Sequence, residues 1–212
     1  MQSFENMNGG RIVTDLVSTI SENFMYLSEV DGAIGDGDHG VNMNKGFDRF
    51  AKTALGKSMS FSQAFTQLGT TLLTEVGGSM GPLYGGFFKS MGKVANEYDQ
   101  IDAENFLKML RAGAESIASV GEAKVGDKTI LDALIPAVEA FEGSTAKGCT
   151  FKEALEDMSK AAERGMVATK EMVARVGRAS RLGERSRGVQ DAGATSCYRI
   201  LHSISQSIQK LL

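Results

Sequence analysis

The stretch RIVTDLVSTISENFMYLSEVDGAIGDGDHG, residues 11–40, contains both kinds of segment from which the whole chain is built. Its first twenty residues repeat apolar side chains every three or four positions, which is typical of an amphipathic helix with one buried face. The last ten residues lose this period and combine glycine with aspartate. We therefore predict a long helix that ends in an acidic, glycine-rich loop.

Helical periodicity and helix start signals continue along the rest of the chain. Ser60 and Thr150 each stand three residues before a Gln or Glu, which is the pattern of a capping box. Asp102, Asp127 and Asp191 are candidate N-caps of three further helices. We expect the helix after Thr150 to reach about residue 174 and residues 175–192 to form a long loop. About eight helices and no strand follow, so the predicted fold is an all-α single domain over residues 1–212, bundle-like or closed into a ring.

Composition excludes several classes of protein. The chain has 212 residues, 42% of them hydrophobic, and a net charge of -3, which argues against a generally basic nucleic-acid binder. The sequence contains no run of about 18 apolar residues, and its N-terminus lacks the apolar region of a signal peptide. Cys149 and Cys197 form neither a disulfide framework nor a metal-binding spacing. We expect a cytoplasmic protein that binds neither nucleic acid nor a membrane.

The acidic loop is the first candidate site. Asp31, Asp36 and Asp38 lie within eight residues and are separated by glycines. Such close carboxylates repel one another unless a cation intervenes, and oxygen-only ligands suit Mg²⁺ or Ca²⁺. An EF-hand is excluded because its twelfth position would be Asn42. The helix start that follows offers an anion site, which favours Mg²⁺ with phosphate, whereas the alternative is a solvated Asp/Gly turn.

Two further glycine-rich loops precede predicted helix starts. GGSMG, residues 77–81, has the small side chains that permit a phosphate or a planar ring to approach a helix N-terminus. GEAKVGDKT, residues 121–129, is similar but lacks the spacing of a P-loop. For both loops an ordinary helix–helix turn is the alternative.

The loop predicted over residues 175–192 is rich in arginine. Half of the ten arginines of the chain fall within 13 residues: Arg175, Arg178, Arg181, Arg185 and Arg187. Arginine presents a planar fork that suits phosphate or carboxylate. We expect this loop to close over a nucleotide. The alternatives are a solvated basic loop, or arginines that contact an acidic partner protein, and the sequence does not assign each arginine to one of these roles.

Four motifs in order resemble one protein family. They are GDGDHGVNMNKGF (35–47), GGSMGPLYGGFF (77–88), GDKTILDALIP (126–136) and GRASRLGERSRGVQDAGATS (177–196). Together they resemble the nucleotide-binding L subunits of bacterial dihydroxyacetone kinases, in particular the branch that depends on phosphoenolpyruvate and the phosphotransferase system. The resemblance implies a closed ring of eight antiparallel amphipathic helices with the nucleotide at one end.

The resemblance also implies a set of site residues. Two Mg²⁺ ions would be held by Asp31, Asp36 and Asp38. Arg178 and His39 would be catalytic, Arg178 as a positive fork and His39 as a hydrogen-bonding partner of phosphate rather than a phosphorylated intermediate. The residues implied to bind ADP or ATP are His39, Gly40, Val41, Asn42, Ser79, Met80, Gly121, Ile130, Arg178, Asp191, Ala192 and Gly193. Two positions depart from the family pattern: Ala192 replaces a frequent proline, and Arg181 stands where an aromatic residue is frequent.

The implied reaction needs partner subunits. ATP on this chain would transfer its γ-phosphoryl group to dihydroxyacetone held on a K subunit, and a phosphohistidine M subunit would rephosphorylate the tightly bound ADP in place. One alternative is the L subunit of an ATP-dependent kinase of dihydroxyacetone, or of a larger ketose such as erythrulose, with exchangeable ATP. A second alternative is a regulatory module whose nucleotide state is sensed by a transcription factor.

Overall fold

Eight α-helices account for most of the residues that the computed structural model describes, which are residues 2–54 and 57–212. The helices are α1 (Arg11–Gly32), α2 (His39–Ala54), α3 (Phe61–Glu75), α4 (Met80–Ala95), α5 (Ala103–Ala118), α6 (Leu131–Ala146), α7 (Phe151–Ala168) and α8 (Ala192–Gln209). Short 3-10 helices cover Asn6–Asn8, Thr169–Glu171 and Ala179–Ser186. The all-α fold class predicted from the sequence is confirmed.

The helices form a closed ring. Each helix packs against the next one along the chain, and α8 packs against α1, which closes the ring. Apolar faces from all eight helices meet in one continuous core. Phe65 packs edge-to-face on Phe88, and Phe106 packs on Phe141 in the same way. Such pairs add to the stabilisation from buried area, so the ring interior is a packed core rather than a channel.

Local sequence signals set most helix starts. Ser60 and Thr150 each form the predicted capping box, and Asp102 and Asp191 each accept a hydrogen bond from a backbone N–H in the first turn. The prediction that Asp127 caps α6 is wrong. Its carboxylate accepts a hydrogen bond from the backbone N–H of Lys124 instead, at 2.8 Å.

The start of α6 is stabilised from within its own first turn. The carboxylate of Asp132 accepts hydrogen bonds from the backbone N–H groups of Gly126 and Thr129, at 2.5 and 2.7 Å. An aspartate within the helix therefore accepts hydrogen bonds from the N–H groups of the preceding turn, and no N-cap aspartate is needed.

Three other expectations need correction. Two short strands, β1 (Ser3–Glu5) and β2 (Gln100–Asp102), pair antiparallel, although the sequence predicted no strand. Helix α7 ends at Ala168 rather than near residue 174, because the chain turns into a 3-10 helix at Thr169. The arginine-rich segment predicted as a loop also contains the 3-10 helix Ala179–Ser186.

Alternate helix ends meet at one end of the ring. The ends of α1, α3 and α5 lie there beside the starts of α2, α4, α6 and α8, and loops from all of them border a single cavity. The small β-sheet adjoins the start of α5, away from this end. Among the described residues, no helix combines the length and the apolar character that a membrane crossing requires.

Candidate functional site

A cavity of about 650 Å³ opens where these helix ends meet. Most of the residues implied as ligands border it: Asp31, Asp36, Asp38, His39, Asn42, Ser79, Met80, Gly121, Ile130, Arg178, Asp191, Ala192 and Gly193. Gly40 and Val41 do not border the cavity. Gly40 is buried behind it, and Val41 is 53% exposed on the outer face of α2.

Three carboxylates converge on one side of the cavity. Ligand atoms of Asp31, Asp36 and Asp38 all lie within 4.8 Å of one another. Asp31 belongs to the last turn of α1, and its backbone carbonyl accepts hydrogen bonds from the N–H groups of Ile34 and Gly35. A Cβ at Gly35 would collide with the Asp31 carboxylate, so glycine is required for this tight return of the chain. An oxygen-only donor set of this kind fits Mg²⁺.

One arginine of the basic segment reaches the acidic cluster. We call residues 172–190 the covering segment; within it, Nη1 of Arg178 makes an ion pair with Oδ2 of Asp36. Arg175 turns towards Asp127, at 3.7 Å, and Arg187 pairs with Glu184 at 3.2 Å. The side chains of Arg181 and Arg185 are exposed and do not border the cavity. The structure thus separates Arg178 from the other four arginines.

His39 begins α2 and is buried in a polar network. Its Nε2 lies 2.8 Å from Oγ of Ser196 on α8, and this Oγ lies 2.5 Å from the hydroxyl oxygen of Tyr84 on α4. Burial lowers the pKa of His39 to about 4, so the imidazole is neutral at pH 7. Nε2 contacts Ser196, and the backbone N–H of His39 donates a hydrogen bond to Oδ2 of Asp31, at 3.4 Å, so only Nδ1 remains for other partners.

Ser196 and Tyr84 are site residues that sequence reasoning missed. Both lie in motifs that resembled the family, within GATS and GGSMGPLYGG, but neither residue type signals a buried bridge between helices by itself. Their hydroxyl groups tie α4 and α8 to the start of α2. They therefore hold His39 in place beneath the acidic cluster.

Close contact between α1 and α2 positions the same region. A Cβ at Gly40 would overlap the backbone carbonyl of Phe24, so the first turn of α2 crosses α1 at a distance that only glycine permits. The backbone N–H of Val41 donates a hydrogen bond to Oγ of Ser28, at 3.2 Å. The two residues that do not border the cavity thus fix where α2 begins.

The opposite wall of the cavity is formed by α4, α5, α6 and α8. Ser79 is the N-cap residue of α4, and Ile130 is that of α6. Asp191 caps α8 by accepting a hydrogen bond from the N–H of Ala194, at 2.7 Å. Burial raises the pKa of Asp191 to about 7, whereas the hydrogen bond from Ala194 opposes that rise. Ala192 and Gly193 follow it in the first turn of α8.

Fold and cavity together define the class of the protein. It is an all-α ring domain with a carboxylate cluster and several helix starts around one end cavity. The chain belongs to the DAK2 domain family, whose model matches residues 33–206.

Two bacterial relatives agree with this membership. The chain is 42% identical to the ADP-binding subunit of the PEP-dependent dihydroxyacetone kinase of Escherichia coli, in an alignment of 185 residues that covers 86% of each chain. It is 37% identical over 198 residues to the ADP-binding subunit of PEP-dependent dihydroxyacetone kinase 1 of Listeria innocua, which covers 93% of this chain and 94% of that one.

A solved structure has the same fold. The dihydroxyacetone kinase from C. freundii in complex with AMP-PNP and Mg²⁺ matches 98% of this chain with a TM-score of 0.72 and 23% identity. The match spans only 35% of that kinase, so this chain corresponds to about a third of its length.

Proposed function

We propose that this chain is the ADP-binding subunit of a phosphoenolpyruvate-dependent dihydroxyacetone kinase, a phosphotransferase. The observation that carries the proposal is the convergence of Asp31, Asp36 and Asp38 within 4.8 Å, beside the start of α2 and in contact with Arg178. The two bacterial relatives named above are ADP-binding subunits of such kinases and align over most of both chains.

The acidic cluster would hold two Mg²⁺ ions. Asp31, Asp36 and Asp38 together offer six carboxylate oxygens on one wall of the cavity, a donor type that Mg²⁺ prefers. Mg²⁺ held by these carboxylates would supply positive charge that neutralises the phosphate groups of the nucleotide.

Backbone and arginine would bind the phosphates. The start of α4 at Ser79–Met80 brings the N–H groups of a first helical turn to the cavity. At the start of α2, His39 and Asn42 border the cavity, but their backbone N–H groups already donate hydrogen bonds to Asp31 and Asp38, so their side chains would contact the phosphates. Arg178 adds a planar guanidinium at the edge of the acidic cluster, where it can neutralise charge that develops on a transferring phosphoryl group. His39 is neutral, and its proposed role is to donate a hydrogen bond to phosphate through Nδ1.

The rest of the cavity suits the nucleoside. Leu83 of α4, Ile117 of α5 and the α6 N-cap residue Ile130 present apolar side chains next to Gly121. A planar base can pack between such side chains. The first turn of α8, with Asp191, Ala192 and Gly193, and the covering segment complete the enclosure.

Two partner subunits follow from the proposal. Dihydroxyacetone would be held on a K subunit that docks at the open end of the cavity, and a phosphohistidine M subunit would rephosphorylate the retained ADP there. A transcriptional regulator is a further proposed partner, because the same surface would differ in charge between the ADP and ATP states.

The purified chain tests the proposal directly. We expect ADP, added with Mg²⁺, to stay bound through gel filtration and to become ATP only when phosphoenolpyruvate and the phosphotransferase proteins with the M subunit are present. Addition of a K subunit and dihydroxyacetone should then yield dihydroxyacetone phosphate. Rapid nucleotide exchange and turnover with free ATP would instead establish the ATP-dependent kinase, and nucleotide binding without transfer would establish a regulatory module.

A further inference from the structure

A buried lysine beneath the covering segment has a role that the proposed chemistry does not use. Lys128 lies in the turn before α6, is 2% exposed, and has a φ of 65°, a backbone conformation that favours glycine. Its Nζ donates hydrogen bonds to the backbone carbonyls of Met172, at 3.3 Å, Val189, at 2.7 Å, and Ser186. All three acceptors belong to the covering segment.

These three hydrogen bonds use the full donor capacity of the ammonium group. Lys128 borders the cavity, but it has no donor left for a ligand. Within the described residues no carboxylate oxygen lies within 4.0 Å of Nζ, so its direct partners are three backbone carbonyls. The carboxylate of Asp191 favours the charged lysine from a longer distance, which opposes the lowering of its pKa by burial. Burial of an ammonium group costs free energy. The three hydrogen bonds that offset this cost all go to the covering segment.

The same turn holds the covering segment at other points. The backbone carbonyl of Asp127 accepts a hydrogen bond from the N–H of Arg175, at 3.1 Å. Oγ of Ser186 is fully buried, accepts from the N–H of Ala174 at 2.9 Å and donates to the carbonyl of Gly183 at 2.7 Å. The segment therefore folds back on itself over Lys128.

Arg178 lies between the points that Lys128 holds. Met172 precedes it and Ser186 follows it, so release of these carbonyls frees the part of the chain that carries the guanidinium. The Arg178 side chain itself is exposed and makes its ion pair only with Asp36 among the described residues. Its position thus depends on its backbone and not on packing of its own side chain.

We propose that Lys128 is a positioning residue for phosphoryl transfer: its buried ammonium group holds the covering segment closed, so that Arg178 stays at the acidic cluster. The inference rests on the proposed function for its effect on turnover, whereas its effect on the covering segment can be measured without any activity.

The test compares K128M with K170M, which replaces an exposed lysine just outside the covering segment. An arginine-specific protease can cleave at the five arginines of the covering segment. Replacement of a lysine neither adds nor removes a cleavage site for it. We expect cleavage there to be about tenfold faster in K128M, kcat to fall about tenfold, and KM for dihydroxyacetone to stay within about twofold. K170M should match the wild type in all three.

The outcomes distinguish a failure of the proposed function from a failure of the positioning role of Lys128. If the wild type neither retains ADP nor transfers phosphoryl groups, the proposed function fails, and the protease assay still reports on Lys128. If K128M folds with unchanged cleavage and kcat, Lys128 does not position the segment. If K128M does not fold, K128Q is measured in the same way, because glutamine keeps two N–H donors. If neither variant folds, the lysine is required for the fold itself, and the proposal is overturned.

Discussion

Nη1 of Arg178 faces Oδ2 of Asp36, so the covering segment and the acidic loop meet directly although they lie far apart in the sequence. Both side chains are substantially exposed, at 62% and 43%, and an exposed ion pair of this kind contributes little to stability because solvent screens it. The pair matters for placement: it brings one planar cation to the edge of three carboxylates. Asp36 is proposed to hold Mg²⁺ and Arg178 to neutralise charge on the phosphoryl group, so each residue can be replaced without the other.

Replacement of Asp36 tests the acidic cluster. D36N keeps the size of the side chain but removes one of three charges that would hold Mg²⁺. We expect Mg²⁺-dependent ADP affinity to fall at least about tenfold, because a charged hydrogen-bonding ligand contributes roughly 1.5–3 kcal/mol. Isothermal titration calorimetry measures the affinity, and circular dichroism should show an unchanged helical spectrum.

The matched control is D48N, an exposed aspartate that pairs with Lys52 on α2 outside the cavity. It should bind Mg²⁺ and ADP as the wild type does. Wild-type affinity in D36N would remove this carboxylate from the site, and an unfolded D36N would make the loop structural.

Replacement of Arg178 tests the guanidinium. We expect R178A to lower kcat by about 10²-fold or more, since an arginine that neutralises transition-state charge contributes at least that much in phosphoryl transfer. R178K should recover only part of the loss, because lysine keeps the charge but lacks the planar fork. The melting temperature should change little in either variant, as the side chain is exposed. R185A, in the same segment, serves as control; an equal loss there would mean that overall basic charge matters and not the position of Arg178.

Signals that act within a few residues predicted much of the fold. The spacing of apolar residues predicted the helices. Four helices are capped as expected, by Ser60, Thr150, Asp102 and Asp191, because a cap is a contact between residues close in sequence. The spacing of Asp31, Asp36 and Asp38 likewise predicted their convergence, since a short glycine-rich loop brings Asp36 and Asp38 back beside Asp31 at the end of α1.

Contacts between distant segments could not be predicted in this way. The pairing of Phe4 with Ile101 joins three-residue strands that are too short to show alternation. The bridge from His39 through Ser196 to Tyr84, and the hydrogen bonds of Lys128 to the covering segment, join helices and turns far apart in sequence. Composition does not distinguish Arg178 from the other four arginines of the segment; the family resemblance singles it out, and the fold places it beside Asp36.

The ionisation of Asp191 gives a pH-dependent prediction. Its pKa is raised to about 7 in the folded chain, mainly by burial, against about 3.9 in an unfolded chain. The folded state therefore binds its proton more tightly, and this group makes the free energy of unfolding fall as pH rises from about 4 to about 7, with no further change above. D191N should lose this component and keep the cap, because asparagine is also a good N-cap residue.

Urea unfolding at pH 5 and pH 8, without nucleotide or Mg²⁺, measures the effect. Relative to the wild type, D191N should gain about 2.5 kcal/mol in unfolding free energy between the two values. Equal pH dependence in both proteins would mean that Asp191 is ionised throughout this range.

The last prediction concerns the crossing of α1 and α2 at Gly40. A methyl group there would overlap the backbone carbonyl of Phe24, and backbone cannot move aside as a flexible side chain can. We expect G40A to lower the free energy of unfolding by about 2 kcal/mol or more, as in an overpacked core. It should also weaken Mg²⁺-dependent ADP binding, since displacement of this turn moves His39 and the adjoining Asp38.

Gly143 in α6 offers a matched control, because a Cβ there meets no atom within 4 Å among the described residues. G143A should raise the free energy of unfolding by about 0.5–1 kcal/mol, the usual gain when alanine replaces glycine within a helix. Chemical denaturation of both variants and ADP titration of G40A provide the measurements. A G40A protein that is as stable as the wild type but binds ADP poorly would place Gly40 at the nucleotide itself. If G40A is destabilised but binds ADP normally, the crossing of α1 and α2 does not set the geometry of the acidic cluster.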